Sequence, residues 1–155
     1  MDASGSAKDP VGHLSSTSHS TFALTIQLLP NGCTPTRATA SSAGWDLYAP
    51  ADGLLLPGQT KKVYLNFKIQ IPVGYSGLVL GRSSMALKSI FTHPGLIDPD
   101  YGGNVAIILQ NTGSDTFYWK SGHRLGQLLF TPNPSVTWVE DIVRGSRGGF
   151  GSSGL

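Results

Sequence analysis

Val63-Tyr64-Leu65-Asn66-Phe67-Lys68-Ile69-Gln70-Ile71 carries the cleanest periodic signal in the chain. Its apolar residues fall at every second position, with Tyr64, Asn66, Lys68 and Gln70 between them. A β-strand sends successive side chains to opposite faces, so this pattern predicts a strand with one face against a core. Phe22, Leu24, Ile26 and Leu28 alternate with Ala23, Thr25 and Gln27 in the same way. Further strands are expected over 78–80, 105–109, 116–119, 125–131 and 136–139. Asn31-Gly32, Asp52-Gly53, Pro57-Gly58, Thr112-Gly113 and Ser121-Gly122 supply turn residues between them. The one helix expected is a turn or two over 83–89, where serines suit the start and Met85, Ala86, Leu87 and Lys88 favour helix. Many short strands with regular turns predict an all-β sandwich or jelly roll.

A chain of 155 residues is expected to form one domain. Its charged fraction of 13% is about half the ~25% of average soluble proteins, which suggests that other subunits cover part of the surface. Lys+Arg 11 against Asp+Glu 9 leaves a formal charge of +2, too little for a broad basic face, so no nucleic-acid partner is expected. The lone Cys33 excludes an intrachain disulfide and fits a reducing compartment; no histidine stands near it to activate a thiolate. Residues 1–21 contain no apolar segment of the secretory type, and no apolar run is long enough to span a membrane. The expectation is an intracellular protein, cytoplasmic or nuclear, with no membrane partner. Three regions are expected: a serine-rich disordered tail over 1–21, a β-domain over 22–143, and a glycine-rich arm over 144–155.

The chemistry concentrates in a few short segments. Gly95-Leu96-Ile97-Asp98-Pro99-Asp100-Tyr101-Gly102-Gly103-Asn104 sets a carboxylate and an aromatic three residues apart in a glycine- and proline-bounded turn, before the apolar run from Val105. It reads as a β-hairpin presenting Asp98 and Tyr101 to one site. A solvated carboxylate there can orient and deprotonate a water, so Asp98 is the candidate general base. The plainer alternative is a turn aspartate capping local N–H groups, a role that suits Asp100 better. Arg82-Ser83-Ser84 places a guanidinium and two hydroxyls at the predicted helix start, where phosphate is favoured; a helix cap with a surface arginine is the alternative. His13, His19, His93 and His123 have no metal-ligand spacing. The segment from Arg144 to Leu155 combines glycines, serines, two arginines and Phe150, and reads either as a plain tail or as an arm that closes over an anionic, planar ligand.

Five segments stand in a fixed order: Ser42-Ala43-Gly44-Trp45-Asp46-Leu47-Tyr48-Ala49, Gly81-Arg82-Ser83-Ser84-Met85-Ala86, the stretch from Gly95 to Asn104, Gly122-His123-Arg124-Leu125-Gly126-Gln127-Leu128, and Arg147-Gly148-Gly149-Phe150-Gly151-Ser152-Ser153-Gly154. In type and order the set closely resembles the five motifs of the trimeric dUTP pyrophosphatases, over about residues 22–154. The resemblance implies a jelly-roll-like β-barrel with one short helix, a homotrimer with shared active sites, and Mg²⁺-assisted hydrolysis of dUTP to dUMP and pyrophosphate. It implies that Asp98 is the base and that Tyr101 packs on the deoxyribose and excludes a 2′-hydroxyl. It places Gly95, Asn104 and Ala106 around the uracil, and Arg82, Ser83, Ser84 and Gln127 at the phosphates. Phe150, Gly151 and Ser152 would belong to the closing arm. Asp46 would accept hydrogen bonds from metal-bound water, with no direct protein ligand to the ion, and Arg124 would pair with a carboxylate.

Some positions depart from the family's pattern. The last-motif arginine usually lies five residues before the phenylalanine; here Arg144 precedes Phe150 by six and Arg147 by three, and Arg144 is the favoured γ-phosphate contact. Gly126 replaces a common alanine, and Gly102 a larger, often basic residue. The segment between Arg82 and Asp98 is one residue shorter than in many cellular members, as in some viral ones. Two other readings share the fold. A dCTP deaminase needs a glutamate on the strand after the turn, and residues 104–111 contain no carboxylate. A catalytically impaired interaction module would be expected to have lost Asp98, Tyr101, Arg82 or the arm.

Overall fold

The alternation over 63–71 enters the fold as two strands. In the computed structural model, which describes residues 21–141, the chain forms β1 (Thr25–Leu28), β2 (Trp45–Tyr48), β3 (Gly53–Leu55), β4 (Thr60–Tyr64), β5 (Phe67–Gln70) and β6 (Tyr75–Leu80). Helix α1 (Ser83–Ala86), β7 (Ile90–His93), β8 (Gly95–Ile97), β9 (Ala106–Asn111), β10 (Phe117–Trp119) and β11 (Arg124–Pro132) follow. The expected single strand breaks at Asn66, whose φ of 61° lies in the left-handed region that asparagine tolerates better than most residues. Before the break β4 pairs with β9; after it β5 pairs with β1. Inward alternation survives the break, since Leu65, Phe67, Ile69 and Ile71 are all buried.

The described strands form four antiparallel sheets: β1–β5, β10–β3, β2–β11–β6–β8 and β4–β9–β7. They wrap one core in a jelly-roll-like, all-β arrangement with one short helix. Leu47, Leu55, Leu65, Phe67, Ile107, Leu109, Leu125 and Leu128 are each less than 2% exposed, and each such side chain contributes roughly 1.5–3 kcal/mol by leaving water. Asn111 is buried among them with its polar atoms satisfied. Its Nδ2 donates to the carbonyls of Leu55 (2.9 Å) and Asp115 (2.8 Å), and its Oδ1 accepts from Gly113 N (2.9 Å).

Several expectations are corrected. Gly95–Ile97 and Ala106–Asn111 do not pair as a hairpin: β8 joins β6 in one sheet and β9 joins β4 and β7 in another, so residues 98–105 cross between sheets. The helix is a single turn whose cap residue is Arg82, with no side-chain capping bond from a serine. Residues 136–139 form no strand; Val136 is 63%, Trp138 90% and Val139 86% exposed, with no neighbouring strand among the described residues. Tyr64, between the apolar positions of the alternation, is 48% exposed, whereas Tyr75 packs against Phe22 at 4.6 Å between ring centroids. Gly53 opens β3 instead of ending a turn, and β7 was not foreseen. The tail over 1–20 and residues 142–155 lie outside the described residues. No helix among the described residues is long and apolar enough to cross a membrane.

Candidate active site

Strand β11 gathers three of the five segments. Its register sets Arg124 opposite Tyr48 and Gln127 opposite Asp46 on β2, with a shift between Arg124 and Gly126, and on its other edge sets Gln127 opposite Leu80 of β6. Side chains then lock the segments to one another. Arg124 Nη1 lies 3.8 Å from Asp46 Oδ2, Arg82 Nη1 donates to the Arg124 carbonyl at 3.0 Å, and Gln127 Nε2 donates to the Gly81 carbonyl at 2.9 Å. Arg124 therefore pairs with a carboxylate as expected. Ser83 and Ser84 are exposed beside this cluster at the start of α1. One helical turn sums few peptide dipoles, so attraction for an anion here rests on Arg82 and the two hydroxyls more than on a helix dipole.

His123 borders the same cluster. Its ring stands edge-on to Phe117 at 5.9 Å, and its backbone N–H and carbonyl are held by Lys120 and Ala49. Burial first, and then the charges of Arg82 and Lys88, hold its imidazole below the ordinary histidine value. In sequence His123 has no metal-ligand spacing and no apparent partner; the fold brings it within reach of Arg82.

The crossover over 98–105 forms a second group. The Asp98 carbonyl accepts from Tyr101 N at 3.0 Å, closing a turn, while the Asp98 carboxylate is exposed and makes no hydrogen bond among the described residues. Tyr101 folds back so that its hydroxyl donates to the Asn104 carbonyl at 2.8 Å. Glycine is required at 103 for this, because a Cβ there would lie 2.6 Å from the Tyr101 hydroxyl. Asn104 Oδ1 accepts from Phe67 N at 3.2 Å and its Nδ2 donates to Asn66 Oδ1 at 3.3 Å, tying the turn to the break between β4 and β5. Asp100 caps nothing there. It lines a cleft of about 300 Å³ between the β1–β5 ribbon and the turn, with Gln27, Lys68, Gln70 and Tyr101. Gly95 sits opposite Val79 in the β8–β6 pairing.

The two groups stand at opposite ends of the same strand pair. Ile97 faces Gly77 on β6, so Asp98 projects onto Ser76, six residues before Arg82. At ~3.3 Å of rise per residue, about 20 Å separates the carboxylate's position from the arginine's. One chain does not bring Asp98 and the Arg82–Gln127 cluster together. Arg144, Arg147, Phe150, Gly151 and Ser152 lie outside the described residues. Among the described residues no group of three or more His, Cys, Asp or Glu side chains is placed to hold a metal ion.

A family model described as dUTPase matches residues 31–154. The chain belongs to the dUTPase family. A deoxyuridine 5′-triphosphate nucleotidohydrolase of Solibacter usitatus is 40% identical over 134 residues, covering 81% of this chain and 90% of that one. The corresponding protein of Mus musculus is 37% identical over 135 residues, covering 83% of each. One from vaccinia virus (strain Copenhagen) is 36% identical over 125 residues, covering 78% of this chain and 85% of its own. Among solved structures, a dUTPase of Staphylococcus bacteriophage 80alpha with dUpNHpp superposes with a TM-score of 0.76 at 24% identity, covering 86% of this chain and 100% of that one. A dUTPase from phage phi11 of S. aureus, described with a structural Mg(II) ion, gives a TM-score of 0.72 at 24% identity, covering 78% and 99%. At that identity the structures speak for the fold, and the dUTPase fold is the one observed.

Proposed function

We propose that the chain is a dUTP diphosphatase that hydrolyses dUTP to dUMP and pyrophosphate, in active sites built from more than one copy of the chain. Membership of the dUTPase family, with relatives matched over most of their length, carries the activity. The ~20 Å between Asp98 and the Arg82 cluster favours the shared site, since a triphosphate's α-phosphorus must lie near both base and phosphate ligands. The apolar surface at Val136, Trp138 and Val139, left exposed by the described residues, also favours association, and a homotrimer is the assembly proposed.

In this reading Asp98 takes the proton from a water that attacks the α-phosphorus in line, and pyrophosphate leaves. Arg82, Ser83, Ser84 and Gln127 bind the phosphates, and the fixed Asp46–Arg124 pair holds their backbone in place. Tyr101 and Asn104, with Gly95 and the main chain near Ala106, select base and sugar. The β-domain runs over 22–143 after a tail of 1–21. The arm over 144–155 brings Phe150 onto the uracil, Gly151 and Ser152 around the ligand, and Arg144 to the γ-phosphate.

The donor set suits Mg²⁺ in one particular way. Asp46 is a single, partly buried carboxylate already paired with Arg124, and among the described residues no cage of carboxylates surrounds it, which fits an ion that keeps its waters and is held mainly by substrate phosphates. Mg²⁺, when bound, supplies charge neutralisation for the phosphates and the leaving group. Deoxynucleotide substrates make an intracellular site of action the natural proposal.

Pyrophosphate release from dUTP, dCTP and UTP tests the activity directly: turnover confined to dUTP is expected, and no turnover of any would leave the interaction-module reading. Mixing Asp98→Asn with Arg82→Ala subunits by co-refolding tests the shared site. Random assortment should give intact sites in roughly a quarter of positions and restore activity that neither variant has alone. No recovery would place base and phosphate ligands in one chain.

A further inference from the structure

Asn66 is a polar residue in the middle of the chain's strongest apolar alternation, and its backbone carbonyl and both side-chain polar atoms are hydrogen-bonded. Its backbone carbonyl accepts from Leu29 N at 2.9 Å, and its Nδ2 donates to the Pro30 carbonyl at 3.1 Å. Its Oδ1 accepts from Asn104 Nδ2 at 3.3 Å. Gly32 packs so closely on the Asn66 carbonyl that a Cβ at position 32 would overlap it. On either side of this corner, Leu65 N donates to the Val105 carbonyl at 2.8 Å and Val105 N to the Phe67 carbonyl at 2.9 Å. The left-handed kink at Asn66 therefore opens a gap in which Val105 takes the strand pairing and Asn104 seats its amide against Asn66 and Phe67 N. From Asn104 the chain of contacts passes through its carbonyl to the Tyr101 hydroxyl.

We propose that Asn66 is a positioning residue for base and sugar selection: its side-chain oxygen orients the Asn104 amide and, through Asn104, the Tyr101 ring. Asn66 touches no substrate. Together with Phe67 N, which can only donate to Asn104 Oδ1, it fixes which way the Asn104 amide points, because Oδ1 of Asn66 can only accept and so favours Nδ2 of Asn104 facing it. That leaves Asn104 Oδ1 for Phe67 N and the Asn104 carbonyl for Tyr101. This inference rests on the dUTPase reading of the turn.

The test uses the full chain with dUTP, UTP and dCTP. Asn66→Gly keeps a residue that adopts positive φ freely and removes the acceptor. It should raise KM for dUTP by up to about tenfold, the scale on which loss of a hydrogen bond to a partly buried amide acts, with kcat changed less than about threefold. The UTP/dUTP ratio of kcat/KM should rise several-fold. Asn66→Asp keeps the acceptor and tolerates the backbone angle, while adding a charge and replacing the donor to Pro30 by an oxygen, and it should restore discrimination to within about twofold of the parent. Asn66→His, also tolerated in the left-handed region but without that oxygen, should repeat the glycine defect and serves where the glycine variant is too unstable to assay. An unchanged KM and UTP/dUTP ratio in the glycine or histidine variant overturns the inference. So does an aspartate variant as impaired as either, which would trace the effect to the Pro30 contact. A parent chain inactive on dUTP would instead sink the functional reading beneath it.

Discussion

The two ends of the β6–β8 pair are built differently. At the Arg82 end, Arg124 pairs with Asp46, Arg82 donates to the Arg124 carbonyl and Gln127 to the Gly81 carbonyl, so the proposed phosphate side is set before any ligand arrives. At the Asp98 end, order is confined to Tyr101 and Asn104, and the carboxylate that should do the chemistry is exposed. In the proposed site, then, the binding groups are pre-organised by their own chain, while the proposed base awaits the rest of the site. A preformed set of phosphate ligands lowers the ordering cost of binding. Under the shared-site proposal, a base presented on a separate turn works only when substrate and a neighbouring copy meet it.

The largest expected effect breaks the comparison at its exposed end. Asp98→Asn keeps the shape of the turn and removes the proton acceptor, so kcat should fall by about 10²–10⁴ while binding of dUpNHpp, measured by calorimetry, changes little. A near-normal kcat would remove Asp98 from the mechanism and leave the turn as a recognition element only.

Truncation before Arg144 asks whether either end suffices without the proposed arm. Loss of a base–aromatic stack of roughly 1–3 kcal/mol, together with a charge-assisted phosphate contact, should cost about 10²-fold or more in kcat/KM, with trimer size by light scattering unchanged. Comparing Arg144→Ala with Arg147→Ala then identifies the phosphate contact by the larger loss. Full activity after truncation would make the segment an ordinary tail.

Much of this contrast was legible in residues. The strands over 22–28, 78–80, 105–109, 116–119 and 125–131 all have observed counterparts, because one face of each packs on the core and alternation records that. Pairing was not legible. Gly95–Ile97 and Ala106–Asn111 look like the arms of a hairpin because a turn joins them, yet each finds its partner elsewhere in sequence, and no local pattern encodes that choice. The break at Asn66 left one trace, an asparagine in a run of strand formers, which the strict alternation around it masked. The phosphate side could be expected only segment by segment; the cross-strand register of β11 is what joins Asp46, Arg82 and Gln127. Residues 136–139 have the apolar pattern of a strand and no partner within the described chain, so their pattern records a surface to be covered more than an element already formed.

Tyr101→Ala sharpens the comparison at the recognition end without touching the base. Removing the ring opens space for a 2′-hydroxyl, and the UTP/dUTP ratio of kcat/KM should rise about tenfold, the scale on which steric pockets discriminate. Because the ring is held only through Asn104, the effect should appear mainly in KM. An unchanged ratio would assign sugar selection to another part of the site.

The smallest effect tests how strongly the phosphate side is charged before ligand arrives. Folding holds the His123 imidazole below its ordinary value, first by burial and then by Arg82 and Lys88, so between the two values the unfolded chain binds a proton that the folded chain resists. The stability carried by the neutral ring is therefore fully present above the ordinary value of 6.5 and is lost as pH falls through it toward the lower folded value. Thermal unfolding of the parent should weaken more steeply than that of His123→Gln between about pH 6.5 and 5, by a small margin because the ring is only partly buried. Saturation with dUpNHpp should shrink the difference, since phosphate oxygens beside Arg82 favour the protonated ring and raise its value again. If parent and variant run parallel with pH, neither burial nor the cations around Arg82 hold the ring below its ordinary value in the empty protein. If they diverge and the analogue makes no difference, the triphosphate binds away from Arg82, and the preformed cluster around β11 serves the fold and not the substrate.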